Sequence, residues 1–420
     1  MEIPDVPKPL VEALTKAAAG QRCALVGGVV RDLLLHRNHE DPWRGLPDLD
    51  IVVEGSAAEL VRRLPSALTH LFGGDCVSRI YEHKMYGTFD LELKIPHPFN
   101  EIWLVDIASA RSEEYPVPAE NPIVSPSSLE DDLVRRDFTI NSMAIELSSM
   151  NLIDPFHAQD DLMGKQLRFL HSRSLEDDPT RIIRAARYCA RLNFNLAPEA
   201  YQQVCTTVRA WPWPWKPNDN PHVPPPALGT RLRKELEKLF QSETWPVSLH
   251  LLRSWNSLQI LDSELQSDPQ IIEKLRRGNT LGLPCLLTLI ASSADPEHLA
   301  TRLDLPKRQL SLVSQMIQVY NYFESQRLID RQLLPSEVCS LIESHNTSPQ
   351  AIALLSIRTS KYNTFILPWY DEWRLFKGSI SAKDILKQTH RKPGPWLGEA
   401  LRKVRYKELD EKFLGGTPPK

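Results

Sequence analysis

Long apolar runs are missing from this sequence, and so are paired cysteines, a basic excess and the two familiar glycine-rich phosphate loops. The first absence leaves no segment able to span a bilayer, and Met1-Glu2-Ile3-Pro4 does not read as a signal peptide. A cytoplasmic location and no membrane partner are expected. The six cysteines (Cys23, Cys76, Cys189, Cys205, Cys285, Cys339) lack the spacing of a zinc site or a disulfide framework, so reduced, mostly buried thiols are expected. A net charge of −3 excludes a strongly basic nucleic-acid coat and leaves RNA contact to local patches. Neither Gly-x-Gly-x-x-Gly nor Gly-x-x-x-x-Gly-Lys-Ser/Thr occurs. From Gly229 onward there is no metal-ligand cluster and no His-Asp pair of a phosphohydrolase.

What is present starts at Pro47-Asp48-Leu49-Asp50-Ile51-Val52-Val53. On a strand, side chains at i and i+2 share a face, so Asp48 and Asp50 project together while Ile51 and Val53 point the other way. Two adjacent carboxylates repel unless a cation lies between them, and a hard, oxygen-preferring ion such as Mg²⁺ with a nucleotide's phosphates suits that chemistry. Alone, the pair also fits an ordinary surface strand. Upstream, Cys23-Ala24-Leu25-Val26-Gly27-Gly28-Val29-Val30-Arg31-Asp32 reads as strand, two-glycine turn and helix. Glycines let backbone approach a ligand and a helix N-terminus offers N–H groups to an anion, although tight packing at a plain joint needs the same residues. Trp103-Leu104-Val105-Asp106-Ile107-Ala108 would put a third carboxylate, Asp106, on a neighbouring strand, or leave it at a strand end in solvent.

Along the chain, helices are expected from Pro9 to Ala19, closed by Gly20, and from Ala57 to Leu68. Strands are expected between Cys76 and Leu93 and from Glu101 to Ala108. Arg111 to Pro126 reads as a proline-punctuated loop, and Ser127-Ser128 before Glu130-Asp131 as the start of a helix. That helix leads to Arg135-Arg136-Asp137, either a solvated ion-pair face or a phosphate contact. Leu152-Ile153-Asp154-Pro155 through Leu167-Arg168-Phe169-Leu170 reads as strand, turn and strand. In Asp177-Asp178-Pro179-Thr180-Arg181, Asp178 is a natural N-cap with Pro179 at the first helical position. Arg181, Arg184, Arg187 and Arg191 then share a helix face. An acceptor from Asp178 and donors from Arg181 suffice to discriminate bases by hydrogen bonding, and a capping role can coexist with that. Val208 to Leu228, rich in Pro and Trp, reads as an inserted loop or linker, and the chain beyond it as all helical.

In this order, Leu25-Val26-Gly27-Gly28-Val29-Val30-Arg31-Asp32, Asp48-Leu49-Asp50, Arg135-Arg136-Asp137-Phe138-Thr139-Ile140-Asn141, Asp154-Pro155 and Asp177-Asp178-Pro179-Thr180-Arg181 resemble the successive motifs of the class II tRNA nucleotidyltransferase and bacterial poly(A) polymerase family. The resemblance implies an α+β chain: a nucleotidyltransferase-fold head with a small mixed sheet (1–147), then a helical neck (148–207), the 208–228 linker, a helical body (229–360) and a helical, tRNA-binding tail (361–420). It implies that Asp48 and Asp50 hold Mg²⁺ with Asp106 as the third catalytic carboxylate. Gly27, Gly28, Arg31, Arg136 and Arg184 would line the triphosphate, and Asp178 with Arg181 would pair with the incoming base. Arg231, Lys392, Arg402 and Lys403 are candidates for RNA contact. The implied partners are tRNA, CTP and ATP, with no DNA, and the implied reaction is addition of CCA to tRNA 3′ ends. A partial enzyme adding only CC or only A, a poly(A) polymerase, and an inactive RNA-binding protein are the alternatives. The family usually has Glu where this chain has Asp177, and the resemblance places a mobile loop governing the switch from C to A at Arg111 to Pro126.

Overall fold

The computed structural model describes residues 6–39, 48–83, 87–96, 101–210, 225–345 and 347–414. Most of the expected linker Val208 to Leu228 lies outside the described residues. The chain divides into two compact units, Met1–Pro217 with Pro224–Glu235 and Ser242–Ser257, and Asn218–Val223 with Leu236–Gln241 and Leu258–Lys420. The expected boundary between head and neck falls inside the first, and that between body and tail inside the second.

In the first unit, helix α1 (Lys8–Ala17) buries Leu10, Ala13, Leu14 and Ala17, one stripe at helical spacing, and the chain turns at Gly20, φ +84°. Strand β1 (Cys23–Val26), helix α2 (Gly28–His39) and strand β2 (Leu49–Val53) follow. Helix α3 (Ala57–Phe72) runs a turn beyond the expected Leu68, capped by the Ser56 hydroxyl at one end and by left-handed Gly73 at the other. Strands β3 (Val77–His83), β4 (Thr88–Ile95) and β5 (Glu101–Ser109) form an antiparallel meander, and β5 returns parallel to β2.

Three departures from the sequence reading follow. Arg111 to Pro126 is not all loop, because its ends pair as β6 (Arg111–Glu114) and β7 (Ile123–Pro126). Helix α4 (Leu129–Val134) then begins at Ser128, whose hydroxyl accepts from Asp131 N–H. After β8 (Ala144–Glu146) and β9 (Leu152–Ile153) comes a short helix, α5 (Ala158–Met163), in place of the expected turn; Asp154 accepts from the N–H groups of Ala158 and Gln159 and starts it. The neck is not purely helical either. Strand β10 (Gln166–Leu167) pairs with β11 (Asn195–Leu196) around α6 (Ser174–Asp177) and α7 (Thr180–Leu192), before α8 (Pro198–Arg209), α9 (Thr230–Gln241) and α10 (Trp245–Ser254).

Among the described residues the main sheet has seven strands in the order β3-β4-β5-β2-β1-β8-β9. Strand alternation gives it two different faces. Phe89, Leu91, Leu93, Trp103, Val105 and Ile107 are buried on the side where α3 packs on β4 and β5. On the other, Leu129 and Leu133 of α4 cover Ala24, Val26, Val52 and Ala144, which leaves Asp50, Asp106 and Asp90 on the part of that face beyond the helix.

The second unit is all helical among its described residues, with Pro349–Arg358 almost wholly buried. Lys392, Arg402 and Lys403 are exposed on its last stretch of chain. Five of the six thiols are buried, Cys205 being half-buried. Among the described residues no helix is long and apolar enough to cross a membrane.

Candidate active site

Register gathers the acids. Asp50 lies opposite Asp106 in the parallel β2–β5 pair, and Asp106 opposite Asp90 in the antiparallel β4–β5 pair, so three carboxylates from three strands line up on one face. Asp48 sits just before β2 on the same side. The Asp106 carboxyl is pushed up to about 6 by desolvation and by the charges of Asp90, Asp50 and Asp48, with His83 pulling the other way. Burial raises Asp50 as well; Arg136 opposes that and Asp48 adds to it. His83 Nε2 lies 2.7 Å from Asp90 Oδ2.

The two-glycine turn stands against these acids. Gly27 has φ +75°, and a Cβ there would lie 3.2 Å from Arg136 Nη1 and 3.5 Å from Asp50 Oδ2. Glycine is required both by the backbone and by the closeness of a cation and an acid. Arg136 is held from behind: its Nη2 donates to Asp132 Oδ2 at 2.9 Å, while its buried Nε has no partner. Asp132 is 0% exposed and also takes two donations from Arg135, so one buried acid sets both arginines. Arg31 is itself buried, donating to Asp32 and to Asn141 Oδ1 and lying over the Tyr188 ring.

A polar chain then runs into the neck. The Asn141 amide donates to Asp137, which also accepts from Arg184 Nε at 2.8 Å, and Arg184 and Arg187 both donate to Glu235 of α9. Burial alone would raise Asp137, but Arg184 and Asn141 outweigh it and hold the carboxyl below its usual range. Arg181, Arg184 and Arg187 of α7 thus face protein groups, while Arg191 near its end is exposed. Arg181 is 5% exposed; its Nη2 donates to the Arg135 carbonyl, and its Nη1 has no partner. It borders a cavity of about 480 Å³ with Tyr115, Glu113, Arg135, His171 and Asp177. Asp178 caps α7 by accepting from Thr180 N–H and hydroxyl, and its other oxygen accepts from Arg231. Arg231 also donates to the carbonyls of Ala119 and Glu120, tying the β6–β7 connection to Asp178.

Known proteins resemble the chain along this stretch. A family profile described as Poly A polymerase head domain matches residues 23–168. An A-adding tRNA nucleotidyltransferase of Aquifex aeolicus is 34% identical over 258 residues, 60% of this chain but 27% of that protein, so the match spans about a quarter of that relative's length. A CC-adding tRNA nucleotidyltransferase of Deinococcus radiodurans is 30% identical over 312 residues, 72% of each chain. The chain belongs to the class II tRNA nucleotidyltransferase family. A solved CCA-adding enzyme, apo form II, has the same fold, with a TM-score of 0.68 at 23% identity over 98% of this chain and 97% of that one.

In this chain the expected residues sort into two settings. Asp48, Asp50, Asp106, Gly27 and Arg136 converge on the sheet, with Gly28 touching Arg31; a Cβ on Gly28 would lie 3.3 Å from Arg31 Nη2. Arg31, Arg184 and Arg231 are committed to carboxylates or carbonyls within the first unit, so they shape the site from behind. Asp90 and Asp132 are absent from the sequence reading. Asp90 stands out only once the β4–β5 register is known, whereas Asp132, three residues before Arg135 and four before Arg136, is a readable helical ion-pair spacing. Among the described residues no three His, Cys, Asp or Glu side chains are clustered tightly enough to bind a metal unaided. The donors on offer are all carboxylate oxygens, those of Asp50 and Asp106 raised by burial and by neighbouring acids, which suits a hard divalent cation.

Proposed function

We propose that this nucleotidyltransferase extends tRNA 3′ ends without a template, adding CCA or part of it from CTP and ATP. The observation that carries the reading is the buried, unpartnered Nη1 of Arg181, opening on a cavity beside the Asp177-Asp178 corner. A buried donor left unpaired is costly, and a base edge satisfies it, so protein groups take the place of a template base. Asp178 supports the reading less directly, because Thr180 and Arg231 already occupy both of its oxygens.

The chemistry follows from what surrounds the sheet acids. Asp48, Asp50 and Asp106 would hold Mg²⁺, which supplies activation of the RNA 3′-hydroxyl and neutralisation of charge at the α-phosphate. The Gly27 turn gives phosphate oxygens close approach, and Arg136, fixed by Asp132, offers an Nε–H and a full positive charge to the leaving pyrophosphate. The Asp137–Arg184–Glu235 chain ties the phosphate end of the site to the base-reading helix α7, so orientation is set before reaction.

The test is incubation with Mg²⁺ and three tRNA transcripts lacking CCA, CA or the last A, each with CTP, ATP or both, and products sized to one nucleotide. Completion of all three identifies a full CCA-adding enzyme. Extension of only the transcript lacking its last A identifies the second reading, A addition alone, which the A-adding relative favours. No incorporation into any transcript refutes nucleotidyl transfer.

A further inference from the structure

The sheet face next to Asp106 carries groups that neither the phosphate nor the base-reading machinery uses. Arg79 and Tyr81 of β3 alternate onto it, opposite Glu92 and Asp90 of β4, and Leu104 of β5 lies two residues before Asp106. Tyr81 is 51% and Leu104 47% exposed, although both are large and apolar in part. With Asp48, Asp90 and Asp106 they line an open cavity of about 470 Å³. The Tyr81 ring is braced by a T-shaped contact with His83, ring centres 4.7 Å apart. Asp90 is engaged by His83 and Glu92 by the Ser78 hydroxyl, whereas Arg79 has no ion-pair partner among the described residues.

Strand order assigns a direction. In an in-line displacement the attacking hydroxyl and the leaving pyrophosphate lie on opposite sides of the α-phosphate. The Gly27 turn and Arg136 stand at the β1 side of Asp50, and β5, β4 and β3 extend from its other side. With pyrophosphate leaving toward Gly27 and Arg136, the hydroxyl has to arrive from the side of Asp106 and Asp90. A nucleotide presenting it there has its base over an exposed aromatic ring and its chain beside the Arg79 guanidinium.

We propose that the β3–β5 face beside Asp106 seats the 3′-terminal nucleotide of the RNA, its base stacked on Tyr81 over Leu104 and its 5′-phosphate met by Arg79. The subsite rests on the nucleotidyl-transfer reading. Stacking on an aromatic side chain is tolerant of base identity. The same seat therefore serves successive primer ends, and selection remains with Arg181.

The experiment is steady-state extension kinetics on full-length protein, varying RNA at saturating nucleotide and nucleotide at saturating RNA. Tyr81→Ala is expected to raise the KM for RNA roughly 5- to 100-fold, with the KM for nucleotide within about twofold of wild type. Tyr81→Phe, which keeps the ring, is expected to recover most of that loss. Ile80→Ala alters the opposite side of the same strand, where Ile80 is 46% exposed, and is expected to change neither constant. Thermal melts check that each variant is folded. An active wild-type protein whose RNA KM is unmoved by Tyr81→Ala, or is moved equally by Ile80→Ala, overturns the subsite alone. A wild-type protein that extends no RNA overturns the functional reading and the subsite with it.

Discussion

Replacing Gly27 by alanine separates backbone strain from damage to the site. At φ +75° an L-residue costs about 1–2 kcal/mol relative to glycine, whatever surrounds it. For a unit of this size that corresponds to a fall of roughly 2–8 °C in the melting midpoint. The new methyl carbon would also lie 3.2 Å from Arg136 Nη1 and 3.5 Å from Asp50 Oδ2, so the guanidinium must withdraw by a few tenths of an ångström. Arg136 is pinned by Asp132, which is 0% exposed, so withdrawal strains a buried ion pair instead of swinging freely into solvent. Positioning errors well below an ångström at a phosphate-handling cation are expected to lower kcat about 10- to 100-fold. Gly73→Ala is the matched control, because Gly73 has φ +76° but a Cβ there would meet nothing within 4 Å. Both variants should lose similar stability, and only Gly27→Ala should lose kcat in single-nucleotide extension of tRNA. Equal kcat for the two, at equal folded fraction, would show that the turn does not contribute to the site and would refute the placing of Arg136 at the phosphates.

Arg181→Ala should reduce discrimination between CTP or ATP and the wrong triphosphates more than it reduces kcat with the right one, measured as the ratio of kcat/KM values. Equal losses would assign Arg181 to general binding. In divalent-free buffer the unfolded chain releases the Asp106 proton near the usual value of about 4, but the folded chain only near 6. The folded state holds more protons between those values, so stability should fall as pH rises from about 4 to about 6. Asp106→Asn should flatten that slope in a melting series, and Mg²⁺ should oppose it at the higher pH. Neutralising Lys392, Arg402 and Lys403 together should weaken tRNA binding and lower the slope of log affinity against log salt by about one for each phosphate they neutralise; an unchanged slope would leave those exposed residues without a role.

The sequence makes the head's chemistry legible wherever it is local. Asp48 and Asp50 share a face through strand alternation alone, Ser128 and Asp178 cap helices because their neighbours are the right residues, and Gly27 sits at a left-handed turn. What stays hidden depends on pairing distant stretches of chain. Asp90 joins the other acids only through the β4–β5 register, and the pairing of Arg231 with Asp178 links residues 53 positions apart. The β6–β7 pair is hard to read because Ile123 and Val124 are exposed and the segment is broken by prolines, so it lacks the half-buried alternation that marks a strand. The α7 arginines read from sequence only as one shared helix face; Asp137 and Glu235, far away in sequence, claim two of them.

The parallel β2–β5 junction, the one such pair in the main sheet among the described residues, also bears on how the protein folds. Asp50 and Asp106 face each other only when β2 pairs with β5, and α3 with the whole β3–β4 hairpin lies between them in the chain. Local antiparallel pairing costs less loop entropy than closing that long crossover, so the β3–β5 meander should form first and β2 should dock late. The sheet acids are then kept apart until most of the head has already collapsed. Pulse-labelled hydrogen exchange during refolding should show protection of β4 amides before those of β2, and the reverse order would contradict this.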